Sequence, residues 1–452
     1  MKSSAWPLIW AARIAGALRV RQTPQGSASV DLTQRTGPAE FLASGFIYGF
    51  PDNGVEADTS IPENLVTDIK FRASRAGGAQ LPAPGWAVDG YDGYVGRFNS
   101  TLSNYRTTRK YGGDFILLPH DLWGADGGLG DGTYPGDDGD WTMMEEFYAQ
   151  LTKDLRDNDM LPGLVFDLWN EPDIDIFWSK PWEQYLEYYV RAHEIVRREL
   201  PEVVISGPSS AGSPNLSADK WDTWMAAIAE NDAIPDIYSW HQIGTWEREP
   251  DSTIPDFNAL RARHGLPERP IDVNEYAWPD EQNPATSAWY ISQLERHNLR
   301  GLRANWGSGS DLHDTMGDLI FRTADGYLPN GEWHMYWYYA EMTGDRVATT
   351  ASSDLLFDAF GIVAGNVAKI LAGTRTVQSA YEIKVSGLSA LDLPTEGSVR
   401  VRTLRFDWEG NESDTGGPTD LGLSDVGYSD DTLVLLLSPP DNSTAYAYEI
   451  NV

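Results

Sequence analysis

Glu171 and Glu275 are the residues of this chain best placed by type and context to do chemistry. Glu171 lies in Asp167-Leu168-Trp169-Asn170-Glu171-Pro172-Asp173, and Glu275 in Ile271-Asp272-Val273-Asn274-Glu275-Tyr276. Each follows a short, largely apolar run, Gly163 to Phe166 and Pro270 to Val273, of the kind that forms a buried strand. Each therefore sits where a strand gives way to a loop. In a (β/α)8 barrel the C-terminal strand ends carry catalysis. Two glutamates brought together there supply what cleavage of a glycosidic bond needs, one as acid/base and one as nucleophile or base. The bland alternative is a pair of solvent-facing loop glutamates.

The elements that would position them alternate strand and helix from about residue 40. Candidate barrel strands are Phe46–Phe50, then Asp68–Ser74 leading into Arg75-Ala76-Gly77-Gly78, and Phe115–Leu118 leading into Pro119-His120-Asp121-Leu122-Trp123. Gly163–Leu168, Val203–Ser206, Ile237–Trp240 before His241, Ile271–Val273, and Gly301–Ala304 before Asn305-Trp306 complete eight. Trp141–Asn158, Pro181–Leu200 and Trp289–His297 have apolar residues at helical spacing. Pro181 suits a first helical turn, and Arg197 and Arg198 suit a last one. After about Asp345 the texture becomes strand-like, in Ala359–Val363, Glu382–Val385, Val399–Phe406, Thr432–Leu437 and Ala445–Val452. The expected fold is α/β: a (β/α)8 TIM barrel over 40–345 followed by a β-sandwich over 346–452, the latter completed by an N-terminal strand within 27–39. The Gly- and Asp-rich segment 124–140 reads as a long loop on the catalytic face. Its aspartates lack the closing glutamate of an EF-hand, so a solvated loop is preferred over a calcium site.

The chain of 452 residues is too long for one compact domain and has 41% hydrophobic residues, enough for a large core. It has no run of 18 apolar residues, so no membrane span is expected. The absence of cysteine rules out disulfides, thiolate catalysis and cysteine metal sites. A net charge of −33 disfavours nucleic acid, anionic membranes and densely anionic polysaccharides as partners, and suits an extracellular medium. Sequons at Asn99, Asn215, Asn411 and Asn442 lean toward secretion and glycosylation, although Met1–Leu18 makes a poor signal peptide, interrupted by Pro7 and Arg13. Aromatic residues make up 12% of the chain, with 18 tryptophans, and such rings stack on the C–H faces of sugars when they are not simply core. A carbohydrate partner is expected, with no cofactor and no metal; the oligomeric state is left open.

Trp169-Asn170-Glu171-Pro172 resembles the acid/base motif of clan A glycoside hydrolases, and Glu275 matches their nucleophile at the end of the seventh barrel strand. Arg75-Ala76-Gly77-Gly78 is similar to the Arg-x-His-Gly segment of glycoside hydrolase family 39, departing from it at Gly77, where that family has His. Asp236–His241 resembles a strand-six segment ending in a pocket histidine. The resemblance, spread over roughly residues 40 to 450, implies a secreted retaining glycoside hydrolase. β-Xylosidase activity is common in the family, and release of arabinose-containing side chains or cleavage of exopolysaccharide also occurs. Another clan A activity (β-glucosidase, β-galactosidase or endo-glycanase) and a non-catalytic carbohydrate-binding barrel are the alternatives.

The chemistry assigns roles. Glu171 must be protonated to donate to the leaving oxygen and Glu275 ionised to attack, so their environments must hold the two pKa values apart. Asn170 is expected to reach a substrate hydroxyl or else cap a turn, and Arg75 to lie under the nucleophile and keep it ionised. His241 is expected to hold Glu275, contact sugar, or be a satisfied core histidine. Trp306 is a candidate floor for a sugar, with core packing as the other reading, and His120 and Trp123 are candidate lining residues from strand three. No phosphate-binding glycine loop, HExxH or G-x-S-x-G elbow occurs.

Overall fold

The computed structural model describes residues 23–451 apart from 80, 128, 130, 131, 308–311, 313 and 314. The segment considered as a signal peptide lies outside the described residues.

Short apolar runs flanked by glycine, proline and aspartate form eight parallel strands: β2 (Gly45–Ile47), β3 (Ala73–Ala76), β4 (Asp114–Leu117), β5 (Leu164–Asp167), β6 (Val204–Ser210), β7 (Ile237–Gln242), β8 (Ile271–Tyr276) and β9 (Leu299–Arg303). They close into a barrel, β9 pairing with β2 through Gly45↔Leu302 and Phe46↔Arg303. Such strands are covered on both faces, and β4 and β5 accordingly contribute Phe115, Ile116, Leu117, Leu164, Val165 and Phe166, all buried. Helices α1 (Glu63–Thr67), α2 (Trp86–Lys110), α3 (Pro119–Trp123), α4 (Thr142–Asp157), α5 (Trp182–Glu199), α6 (Asp219–Glu230), α7 (Pro250–Arg263) and α8 (Pro284–His297) cross between them. The (β/α)8 fold expected from the alternation is present. The first strand is shorter than the run that suggested it: Tyr48 and Gly49 already have positive φ, 52° and 83°, and so leave the extended conformation.

A hairpin, β10 (Ile320–Thr323) and β11 (Gly326–Pro329), leads into α9 (Gly331–Ala340). A nine-stranded sheet follows, ordered β17-β16-β19-β14-β13-β12-β1-β15-β18. Its strands are β1 (Ser27–Pro38), β12 (Asp345–Thr350), β13 (Phe357–Ala364), β14 (Val367–Thr374), β15 (Tyr381–Ser386), β16 (Gly397–Phe406), β17 (Thr419–Tyr428), β18 (Thr432–Leu437) and β19 (Ala445–Asn451). Period-two burial marks the inner face: Leu433, Leu435 and Leu437 of β18, and Tyr381, Ile383 and Val385 of β15, point into one apolar cluster with residues of β13, β14, β16 and β19. The sheet therefore curls over itself around its own core. β1 joins it antiparallel to β12 and parallel to β15.

α8 is the plate between the two cores. Asn283 caps it by accepting from the Thr286 N–H at 3.1 Å, and every residue from Pro284 to Glu295 is buried. At Gly373 of β14 a Cβ would lie 2.0 Å from the Ala285 carbonyl oxygen, so the sheet meets the helix backbone to backbone. Polar pairs fix the contact: Gln293 Nε2 donates to Asp358 at 2.7 Å and Arg346 to Glu295 at 3.1 Å.

Candidate active site

Glu171 and Glu275 meet at the C-terminal mouth of the barrel, as strand-end placement requires. Glu275 stands near the end of β8. Glu171 stands four residues past β5 with a left-handed backbone, φ 42°, its N–H donating to the Ser209 carbonyl at 2.8 Å. A non-glycine residue in that region costs on the order of 1–3 kcal/mol and needs surrounding structure to hold it there. One carboxylate oxygen of Glu171, one of Glu275 and a ring nitrogen of His241 all lie within 4.8 Å of one another.

A buried polar lattice sets their charges. Arg75, at the end of β3, donates Nη1 to Glu275 Oε1 at 2.6 Å, Nε and Nη2 to Asp167 at 3.0 and 2.8 Å, and Nη2 to Asn170 Oδ1 at 2.8 Å. Asp167 also accepts from Ser209 Oγ at 2.6 Å and Asn274 Nδ2 at 3.1 Å. Asn170 is thereby oriented by the same guanidinium that pairs with Glu275. His241 Nδ1 is 2.8 Å from Glu171 Oε1, and its Nε2 faces Glu275 Oε1 at 3.7 Å. Burial lowers the His241 pKa, which favours the neutral ring. Burial, with the Asp173 carboxylate adding to it, pushes Glu171 up to about 7, against the pull of Arg75. Burial also raises Glu275, and His241 and Arg75 pull it back. These three side chains have the spacing of a cation site, and the Arg75 guanidinium pairs with one of them, Glu275.

The cavity above them measures about 840 Å³, near the top of the roughly 300–1,000 Å³ typical of ligand sites. His120, Asn170, Glu171, Glu275 and Trp306 line it. Trp306 Nε1 donates to the Ala277 carbonyl at 2.9 Å, which fixes the indole beside Trp278 with centroids 4.3 Å apart. His120 Nε2 lies 2.9 Å from Asp121, and burial pushes its pKa well below the usual value. Arg75 and His241 lie beneath the cavity and act on it through the two glutamates. Trp123 does not line the cavity. It packs edge-on against Phe147 at 5.4 Å and donates Nε1 to Thr133 O at 3.0 Å, because its place on α3 turns the side chain toward helix α4 and the 124–140 loop.

The departure at Gly77 has a steric cause. A Cβ there would sit 2.3 Å from the Leu118 carbonyl oxygen, so no side chain fits. The Tyr48 hydroxyl instead accepts from the Gly77 and Ala79 N–H groups at 3.3 Å each and donates to buried Asp121. In the 124–140 loop, acidic side chains have protein partners: Asp126 pairs with Arg97 at 2.5 Å and Asp137 with Lys180 at 2.9 Å.

Sequence reasoning does not single out several other lining residues: Tyr48, Asp126, Asp173, Trp246, Glu247 and Trp278. Asp173 and Trp278 lie two and three residues beyond the two glutamates, so the strand-end rule that finds Glu171 and Glu275 extends to them.

No family model matches the chain. It is 21% identical over 389 residues to 3-O-alpha-D-galactosyl-alpha-L-arabinofuranosidase of Bifidobacterium longum subsp. longum, covering 75% of this chain and 32% of that protein. It is 27% identical over 140 residues to a beta-xylosidase of Caldicellulosiruptor saccharolyticus, covering 30% of this chain and 27% of that protein. The aligned parts thus span about a third or less of these curated relatives. Among solved structures, N2152 from Neocallimastix frontalis superimposes with a TM-score of 0.72 at 20% identity, over 94% of this chain and 99% of that one. The GH39 enzyme from Xanthomonas axonopodis pv. citri does so with a TM-score of 0.57 at 14% identity, over 95% and 98%. The fold these structures share with the chain is a (β/α)8 barrel with an appended β-sheet domain. The resemblance to clan A glycoside hydrolases, and to family 39 among them, is borne out.

Proposed function

We propose that the protein is a retaining O-glycoside hydrolase, with Glu171 as acid/base and Glu275 as nucleophile. One observation carries this reading: the two glutamates present carboxylate oxygens within 4.8 Å of each other at the barrel mouth. Retaining enzymes keep their carboxyl groups about 5–5.5 Å apart, whereas inverting ones leave about 6.5–9.5 Å for a water.

The electrostatics support the same division of labour. Glu171, held up near 7, keeps a substantial share of its protons at neutral pH and can give one to the leaving oxygen. Glu275, paired with Arg75, attacks the anomeric carbon; the C–O bond to the leaving group breaks and a glycosyl ester forms. That step removes the negative charge of Glu275, so Glu171 can then take a proton from the water that hydrolyses the ester. His241 keeps the Glu171 carboxyl oriented, and Arg75 keeps that of Glu275.

The names of the aligned relatives favour a pentose-containing substrate, an arabinofuranoside or xyloside, drawn from plant or microbial polysaccharide. The acidic charge and the sequons favour action outside the cell; Asn99, Asn411 and Asn442 are exposed and available for glycosylation. The test is turnover of 4-nitrophenyl β-xyloside, α-L-arabinofuranoside, β-glucoside and β-galactoside, with Glu171→Gln as control. Hydrolysis of at least one is expected, and Glu171→Gln should lose far more activity toward the corresponding unactivated oligosaccharides than toward these activated aryl glycosides. Turnover of none by the wild-type protein would contradict the reading.

A further inference from the structure

One wall of the cavity is built by two parts of the chain that the two-glutamate chemistry does not use. Trp306, Trp278 and Trp246 form a row leading outward, with successive centroids 4.3 and 4.9 Å apart. Trp246, on the loop after β7, is 64% exposed, the most exposed large hydrophobic side chain among the described residues. Ile174 and Ile176, which follow Glu171, line the same cavity and are also exposed.

Trp246 is nevertheless bedded firmly. Its ring lies on Gly244, where a Cβ would come within 2.3 Å of the indole, and Gly244 has φ 84°; both features call for glycine. Gly244 is clamped on both sides. Its N–H donates to Glu281 Oε2 at 2.8 Å, and its carbonyl accepts from Arg375 Nη2 at 2.7 Å. Glu281 Oε2 also accepts from the Trp278 N–H at 2.9 Å, and Glu281 Oε1 pairs with Arg375 Nε at 2.9 Å. Arg375 Nη1 reaches the Glu247 carbonyl at 3.2 Å, and its guanidinium lies 4.6 Å from the Trp289 ring. Arg375 follows β14, so it comes from the β-sheet domain; Glu281 and Arg375 are both buried.

We propose that Trp246 and Trp278 form an outer subsite that takes a second, neutral sugar ring, and that Arg375 is its positioning residue, supplied by the sheet domain. The proposal rests on the hydrolase reading above. Exposed indoles offer apolar faces to sugar C–H groups, while Asp126, Asp173 and Glu247 on the same cavity disfavour an anionic ring. The sheet domain thus shapes substrate choice without touching substrate.

The test is calorimetric titration of Glu171→Gln protein with β-1,4-xylo- and α-1,5-arabino-oligosaccharides of one to four units. Affinity is expected to rise at least tenfold from one unit to two in one series. Trp246→Ala, added to that background, should remove most of the gain. Arg375→Met should do the same, and Arg375→Lys should restore part of it, with far-UV circular dichroism unchanged. No gain with length in either series, or a gain that survives Trp246→Ala, overturns the subsite. An Arg375→Met protein that loses stability but keeps the gain overturns the positioning role. Failure of the hydrolase reading looks different: the variant binds with the length dependence, yet wild-type protein leaves the same oligosaccharides uncut.

Discussion

Two buried arginine–glutamate pairs sit at the end of the same barrel and do different work. Arg303, at the end of β9, pairs through both Nη atoms with Glu332 of α9, and both side chains are wholly inaccessible. Arg75, at the end of β3, pairs with Glu275, whose side chain keeps 13% of its surface open to the cavity. The first pair has nowhere to send a reaction. The second leaves a carboxylate oxygen facing the cavity while its guanidinium partner is held below by Asp167 and Asn170. Ion-pair chemistry alone does not mark a site; a pair with one face open to a cavity and a second carboxylate within reach does.

The comparison predicts opposite phenotypes. Glu275→Ala should lower turnover by at least about a thousandfold, since the covalent step loses its nucleophile. Its stability should change little, because Arg75 keeps Asp167. Glu332→Ala should reverse the pattern: about 3–5 kcal/mol of stability lost by denaturant unfolding, as expected when a buried charge loses its partner, with turnover per folded molecule retained. Equal stability losses for the two variants would erase the distinction.

A smaller effect sharpens the role of Glu171. Its carboxyl rises from an ordinary 4.5 to about 7 in the folded protein, a difference of on the order of 3 kcal/mol. A folded-state pKa raised in this way contributes stability that is fully present below about 4.5 and lost as pH rises through about 7. Glu171→Gln removes the ionisable group, so it should be more stable than wild type at pH 8, by up to that amount, and show no such gain at pH 4.5. Thermal unfolding at the two pH values measures this.

The smallest effect is on the pH profile. With Glu171 as the acid, kcat/KM of wild-type protein should fall above about pH 7. An alkaline limb near the ordinary carboxylate value of 4.5 would contradict the assignment.

The barrel and both glutamates were legible because buried parallel strands leave short apolar runs and catalysis gathers at their ends. The sheet domain was legible where burial alternates, as in β15 and β18. β17 leaves no signal in the sequence, because its Gly- and Asp-containing strand is almost wholly exposed and no burial pattern forms there. β12 is likewise not legible: it is short and polar at its ends, with only Arg346 and Val347 buried. Trp123 misled because a tryptophan just past a strand reads the same whether it faces a cavity or a neighbouring helix. Arg375 was beyond sequence reasoning: its partners, Glu281 and Gly244, are 94 and 131 positions away.

The central claim is double displacement through Glu275, and the stereochemistry of the first-formed product tests it most directly. Proton NMR, recorded during hydrolysis of the best aryl glycoside before mutarotation, should show the sugar released with the anomeric configuration of the substrate. A first-formed product of inverted configuration would contradict the account.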